Sequence, residues 1–247
     1  MKLFALLTVS CLAVSAALSG CTSTGGSSGQ VDGYMNTLAD MAFDQNRPDD
    51  EQWQVLQDAM LFNRATSTYL WAMPLINTLG MQEASEAQFG KGYNVLPIWK
   101  GRLSAKTQVT TPNSDVLYAM SYLDLSDGPL VVEAPAKLQG MFIDVWQRPI
   151  DVDGSPHKGD VRLAGPDGGK GGKFLLLPPD YEGKIPKGHY VYRSRTNTVF
   201  VFLRGFYEDP NNLTPASKHM EMTKVYPLSQ ASSAKKNGVS RWHWRGS

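Results

Sequence analysis

Cysteine is nearly absent from this sequence: its two copies are Cys11 and Cys21, both close to the start. No pair remains beyond residue 21 for a disulfide, a thiolate metal site or a cysteine nucleophile with a partner thiol. An excess of one charge is missing too, with 24 basic and 23 acidic residues. A balanced chain has no field to gather nucleic acid, so a nucleic-acid partner is excluded on charge. The apolar run over residues 3–18 is shorter than the roughly 20 residues a membrane-spanning helix needs. His157, His189, His219 and His243 include no i, i+4 pair, so a zinc-binding helix is lacking and each reads as a surface imidazole. Asp151-Val152-Asp153-Gly154 begins like a calcium loop but finds no closing glutamate. Ser155-Pro156-His157-Lys158 has Pro156 where a helix would be required. Gly168-Gly169-Lys170-Gly171-Gly172-Lys173 lacks the earlier glycine of a phosphate loop and reads as a hairpin. Gly25-Gly26-Ser27-Ser28-Gly29 spells a nucleophile elbow without the strand and helix that such an elbow needs. No metal or cofactor is expected.

What is present begins at the N-terminus. Lys2 precedes an apolar stretch that ends in Leu18-Ser19-Gly20-Cys21. That order suits a secretory signal over residues 1–20, and the last four residues resemble a bacterial lipobox. The resemblance implies cleavage before Cys21, lipidation of its thiol, and acylation, for example by palmitate, of the freed amine. Two or three acyl chains anchor firmly, at about 0.8 kcal/mol per buried methylene. Thr22 and Ser23 follow, and the absence of Asp there points by the same resemblance to the outer membrane, facing the periplasm. Residues 21–30 are mostly Ser, Thr and Gly and form a flexible tether.

Residues 31–230 read as one α+β domain, helical over 31–89 and β over 90–230. Asp32 is placed to cap a first helix carrying Tyr34, Leu38 and Met41 on one face. After Arg47-Pro48-Asp49-Asp50 a longer helix starts near Glu51, with apolar residues almost all round its second half, which predicts burial. Pro74 is expected to kink or end it, and Gly80 to stop it before a short helix over 81–89. Beyond residue 90 the helical spacing vanishes. Strands are predicted at 116–123, 130–134, 141–146, 161–163, 173–177, 189–193 and 198–204, with Gly, Pro, Asp and Asn turns between them. Short strands without interposed helices predict helices packed on an antiparallel β-sandwich or barrel-like sheet. Residues 231–247 are basic and aromatic, with Trp242-His243-Trp244, and are expected to form a disordered tail.

The densest polar run is Thr110-Thr111-Pro112-Asn113-Ser114-Asp115, leading into Val116-Leu117-Tyr118. Such a turn aims Asn, Asp and Tyr groups into one space at a strand's mouth. Thr-Pro-Asn-x-Asp-x-x-Tyr resembles the signature of the bacterial family called domain of unknown function 1254. Further matches follow in order: Leu123-Asp124-Leu125, Gly140-Met141-Phe142 with Asp144, Gly172-Lys173-Phe174, Pro178-Pro179, Ser194-Arg195-Thr196-Asn197 and Arg204. Upstream, Arg64 and Tyr69 to Pro74 resemble that family's helix. The likeness covers about residues 50 to 230. It also implies a companion C-terminal domain (domain of unknown function 1214), which this sequence does not show.

The family name assigns no activity, so the resemblance supplies candidates and no reaction. Asp115 and Asp144 are the candidate general bases. Asn113, Tyr118, Trp146, Arg195 and Asn197 are the candidate binding residues, with Arg195 suited to clamp an anion and Trp146 to stack on a ring. The structural alternative has Asp115 capping a turn, Arg195 pairing with Asp144 across strands, and Trp146 half-buried. Two functions from different classes follow. One is a membrane-anchored module that binds a small molecule, envelope glycan or partner through a polar and aromatic pocket. The other is a hydrolase or lyase using Asp115 and Asp144, with Arg195 holding an anionic substrate.

Overall fold

The structure, a computed structural model, describes residues 33, 35–89, 94, 96–107, 113–161 and 165–232. Cys21, the signal and tether, Asp32, Tyr34, Thr110 to Pro112 and most of the predicted tail lie outside them. The chain divides into two units, Met1–Leu70 and Trp71–Ser247, and the boundary falls inside one long helix, α1 (Asp50–Phe89).

Asp49 and Gln52 start α1 with a reciprocal cap. The Gln52 amide donates to Asp49 Oδ1 at 2.8 Å, and the Asp49 amide donates to Gln52 Oε1 at 3.1 Å. Pro74 and Gly80 do not end the helix, against expectation, and residues 81–89 continue it. The Pro74 carbonyl accepts from Thr78 Oγ1 at 2.9 Å and from Gln147 Nε2 at 3.3 Å, so the turn after the proline is tied to its surroundings. The predicted burial of its second half is also corrected: Leu61, Phe62, Tyr69, Leu70, Trp71 and Met73 are exposed. Apolar side chains encircle this stretch, yet every residue from 61 to 70 is exposed, and an apolar girdle buries a helix only where a surface packs on it.

The β part forms two five-stranded sheets stacked as a sandwich, with no closed barrel among the described residues. The first has the order β1 (Ile98–Trp99), β2 (Val116–Asp124), β9 (Thr198–Phe206), β4 (Gln139–Asp144) and β6 (Asp160–Val161). The second runs β10 (Lys224–Pro227), β3 (Leu130–Ala134), β7 (Gly172–Leu177), β8 (Tyr190–Arg193) and β5 (Asp151–Val152). The predicted strands are present within a few residues, except that residues 162 and 163 of the one predicted at 161–163 lie outside the described residues. Pairing is antiparallel except between β7 and β8, which are parallel. A parallel step needs a connection of about a dozen residues, and residues 178–189 supply it. On the way Tyr181 and Ile185 pack over Val131, Leu175, Leu177 and Val191 on the second sheet's outer face. Both faces of β3 and β7 are therefore covered, which is why Leu-Val-Val and Phe-Leu-Leu-Leu run apolar without alternation.

Between the sheets lies the main core. Leu117, Leu123, Phe142, Val199, Val201 and Leu203 from the first sheet meet Val132, Phe174, Leu176 and Tyr192 from the second. A short helix, α2 (Thr214–Met220), adds Ala216 and Met220 to this core and packs against β9, β1 and β2. Gly205 leaves room for Met220, whose thioether occupies the space of a Cβ there.

Candidate functional site

The register sorts β2, β9 and β4 into two faces. Leu117, Ala119, Leu123, Val199, Val201, Leu203 and Phe142 turn inward, so the alternate residues form the outer face. Across these strands Tyr118 stands opposite Arg204, Met120 opposite Phe202, and Tyr122 opposite Phe200. On β4, Met141 pairs with Phe202 and Ile143 with Phe200. Three strands thus present an aromatic and thioether surface instead of the polar one usual for an outer sheet face. The rings are mutually ordered: Tyr122 and Phe200 stack at 4.8 Å, and Phe202 lies 5.4 Å from Tyr118 and 6.2 Å from Phe200.

Asn77, Thr78 and Met81 of α1 face this surface, with Leu103 and Gln147 at its margins, and a cavity of about 210 Å³ remains between them. Arg204 is the only charged residue lining it among the described residues. Its guanidinium carbon sits 4.8 Å from the Phe202 ring centre and 5.8 Å from that of Tyr118, both cation–π distances. The buried Nε of Arg204 donates to no acceptor among the described residues. Of the predicted binding residues only Tyr118 lines this cavity. The others needed were signalled in the strands themselves. Residues 116–120 and 199–203 are apolar at both alternations, and one alternation of the two strands holds Tyr118, Tyr122, Phe200 and Phe202 together with their one cation, Arg204.

The other sequence candidates lie elsewhere. Asn113 Oδ1 accepts the Asp115 amide at 2.8 Å, so Asn113 and not Asp115 shapes the turn before β2. Asp115 itself is exposed, with Ser114 Oγ at 3.5 Å. Asp144 is buried, 2% exposed, and is fully engaged. Its Oδ1 accepts the Trp146 and Arg148 amides at 2.9 and 3.0 Å, and its Oδ2 accepts Arg148 Nε and Nη2 at 2.8 and 2.7 Å. The cross-strand Arg195–Asp144 pair is therefore replaced by a local one with Arg148, because the turn returns that side chain four residues later.

Arg195 reaches Asp151 instead, donating from Nη2 to Oδ2 at 2.8 Å, while Lys158 holds the other oxygen. These cations hold the Asp151 carboxyl below its ordinary range, Lys158 contributing most. Arg193 Nε sits 2.8 Å from Asp153 Oδ1, so both carboxylates of the calcium-like run are taken by cations. Trp146 is half-buried and lies 4.6 Å from Trp71, ring centre to ring centre. Asn197 is exposed, and its carbonyl accepts the Leu125 amide at 2.9 Å.

Asp115 and Asp144 are not brought together. Asp144 is level with Val199 and, through it, with Leu123, whereas Asp115 precedes Val116 at the opposite end of β2. Eight residues of strand, at about 3.3 Å each, separate the two levels by about 26 Å. Among the described residues no three His, Cys, Asp or Glu side chains are grouped to hold a metal ion.

Comparison with known proteins agrees with this fold and names no activity. No curated protein matches the sequence. The crystal structure of the VPA0106 protein from Vibrio parahaemolyticus is similar, with a TM-score of 0.50 and 19% identity over 72% of this chain and 41% of that one. A crystal structure of an uncharacterised protein from Burkholderia cenocepacia matches with a TM-score of 0.33 and 15% identity, over 81% of this chain and 48% of its own. The chain thus spans less than half the length of either. Residues 93–227 match the family described as "Protein of unknown function (DUF1254)". With more than half of its residues inside that match, the chain belongs to the DUF1254 family.

Proposed function

We propose that this protein is a lipid-anchored component of the bacterial outer membrane, facing the periplasm, that binds a small molecule on the outer face of its first sheet. The observation that carries the binding reading is the cavity of about 210 Å³ above Phe200, Phe202 and Tyr118. The cleft leaves an apolar wall against water, and a bound ring would take that surface out of water. An apolar wall with few polar groups is the composition of a small-molecule site. Here the polar groups are two carboxamides, Asn77 and Gln147, the Arg204 guanidinium, and the hydroxyls of Thr78, Tyr118 and Tyr122. The lining suits holding and orienting a ligand. The anchor rests on Leu18-Ser19-Gly20-Cys21 and the apolar run before it.

Two experiments test the two parts. Titration of the isotope-labelled full chain with indole, benzyl alcohol and benzoate, followed by NMR, is expected to shift Met120, Met141, Phe200 and Phe202 together. Met141→Trp, which fills the cavity, is expected to abolish those shifts. Millimolar compounds that move nothing there refute the binding reading. For the anchor, radiolabelled palmitate fed to cells is expected to label the wild type and not Cys21→Ser. An unlabelled wild type refutes it.

A further inference from the structure

We infer that the cavity selects an aryl monocarboxylate, an aromatic ring joined through a short arm to one carboxylate, with Arg204 as the anion-recognising group. The inference rests on the binding reading above and adds the ligand's charge and shape. It starts from the placement of one cation. Arg204 projects from the centre of a five-stranded sheet onto a face whose neighbours are Tyr118, Phe202 and Met120. No carboxylate lines the cavity, and the buried Nε has no acceptor among the described residues. The other described arginines of the β part have oxygen partners: Arg148, Arg193 and Arg195 each meet an aspartate, and Arg102 donates to the Ser114 carbonyl.

A buried donor left unpaired is unfavourable, and nothing in the core depends on Arg204, whose side chain points away from it. The tilted rings of Phe202 and Tyr118 flank the guanidinium and restrict where it can sit. They also take the place of some of its water, so a ligand anion meets a pre-oriented, partly desolvated fork. A planar fork matches the two oxygens of a carboxylate.

Size and charge narrow the class. A cavity of roughly 150 Å³ is enough to take up benzene, so about 210 Å³ holds one ring and a short substituent. The ring is placed on Phe202, Met120 and Met141, one register row from Arg204. Adjacent same-face rows are about 6.6 Å apart, two residues at about 3.3 Å, and the guanidinium leans back towards Phe202. An arm of one or two carbons spans what remains. One guanidinium with no second cation in the lining among the described residues matches a single negative charge, which disfavours a phosphate monoester.

The test compares 3-phenylpropanoate with its neutral isostere, 3-phenylpropanamide, by calorimetric titration of the full chain. We expect the acid to bind at least tenfold more tightly, with an advantage that shrinks as salt is added. In Arg204→Met the advantage is expected to vanish while the amide keeps its affinity within threefold, which shows the cavity intact. Arg204→Lys keeps the charge without the fork, and there the advantage is expected to fall at least threefold. That variant also serves if Arg204→Met does not fold. Equal binding of acid and amide to the wild type overturns the inference and leaves the binding reading standing. A preference unchanged in both Arg204 variants overturns it as well, since another group would then hold the anion. Phenyl phosphate binding more tightly than the acid overturns the assignment to a monocarboxylate. If neither compound binds, the inference and the binding reading fall together.

Discussion

Asp144→Ala is expected to be the most damaging substitution among the polar residues that the sequence singles out. The carboxylate is 2% exposed and accepts four hydrogen bonds, two from backbone amides and two from Arg148. Hydrogen bonds to a charged group contribute about 1.5–3 kcal/mol each, and stripping one partner from a buried ion pair costs about 3–5 kcal/mol. The Arg148 side chain is 49% exposed and regains water when its partner leaves. The freed amides are on residues that are themselves only partly buried. The lower end therefore applies, about 3 kcal/mol. For a chain of this size each kcal/mol shifts Tm by about 2–4 °C, so a thermal melt followed by circular dichroism should drop by about 6–12 °C. Asp144→Asn keeps an oxygen for the two amides and should lose about half as much. Asp115→Ala is the control: its carboxylate is exposed with one long contact, and a change within about 0.5 kcal/mol is expected. A drop below about 2 °C for Asp144→Ala, or an equal drop for Asp115→Ala, refutes the reasoning.

Three further outcomes follow from the same contacts. Gly140→Ala is expected to destabilise by at least about 1–3 kcal/mol, because a Cβ there would overlap the Phe202 carbonyl and the Leu203 side chain across the β4–β9 ladder; a wild-type urea midpoint refutes it. The Asp151 carboxyl titrates below its ordinary value of 3.8, held down by Lys158 first and then Arg195. Its stabilising contribution is therefore present above that value and is lost as pH falls below it. Urea midpoints of wild type and Asp151→Asn should differ at neutral pH and converge in acid, and a constant difference down to pH 2 would show the pairs to be inert. Tyr226 is buried and donates to Glu133 Oε2 at 3.0 Å; burial chiefly, with that acid, pushes its hydroxyl up to about 12. The native state keeps this proton while the unfolded chain releases it near 10, so stability from Tyr226 is lost as pH rises from about 10 to 12. Ultraviolet titration should show one fewer late-ionising phenol in Tyr226→Phe.

What the sequence determined by itself is whatever is written in alternation and turn chemistry over fewer than ten residues. Residues 130–132 and 174–177 are apolar at both alternations, with Gly and Pro nearby, and they became strands covered on both faces. The α+β class follows from the change of periodicity near residue 90, and the family from a motif a few residues long. Contacts between distant residues decided the rest. The two-residue strands β1 and β5 have no local signal and exist through their partners β2 and β8. Pro74 and Gly80 are locally helix-breaking, yet the chain stays helical where Thr78 and Gln147 bond the Pro74 carbonyl. The carboxylates made the same point about sites. Asp115 and Asp144 look alike in sequence, but register puts about 26 Å of strand between them, and a four-residue turn gives Asp144 to Arg148. Register likewise set Arg204 beside Tyr118 and next to Phe202. A one-residue slip would have turned that cation into the core, so the cavity could be assembled only once three strands had chosen their partners.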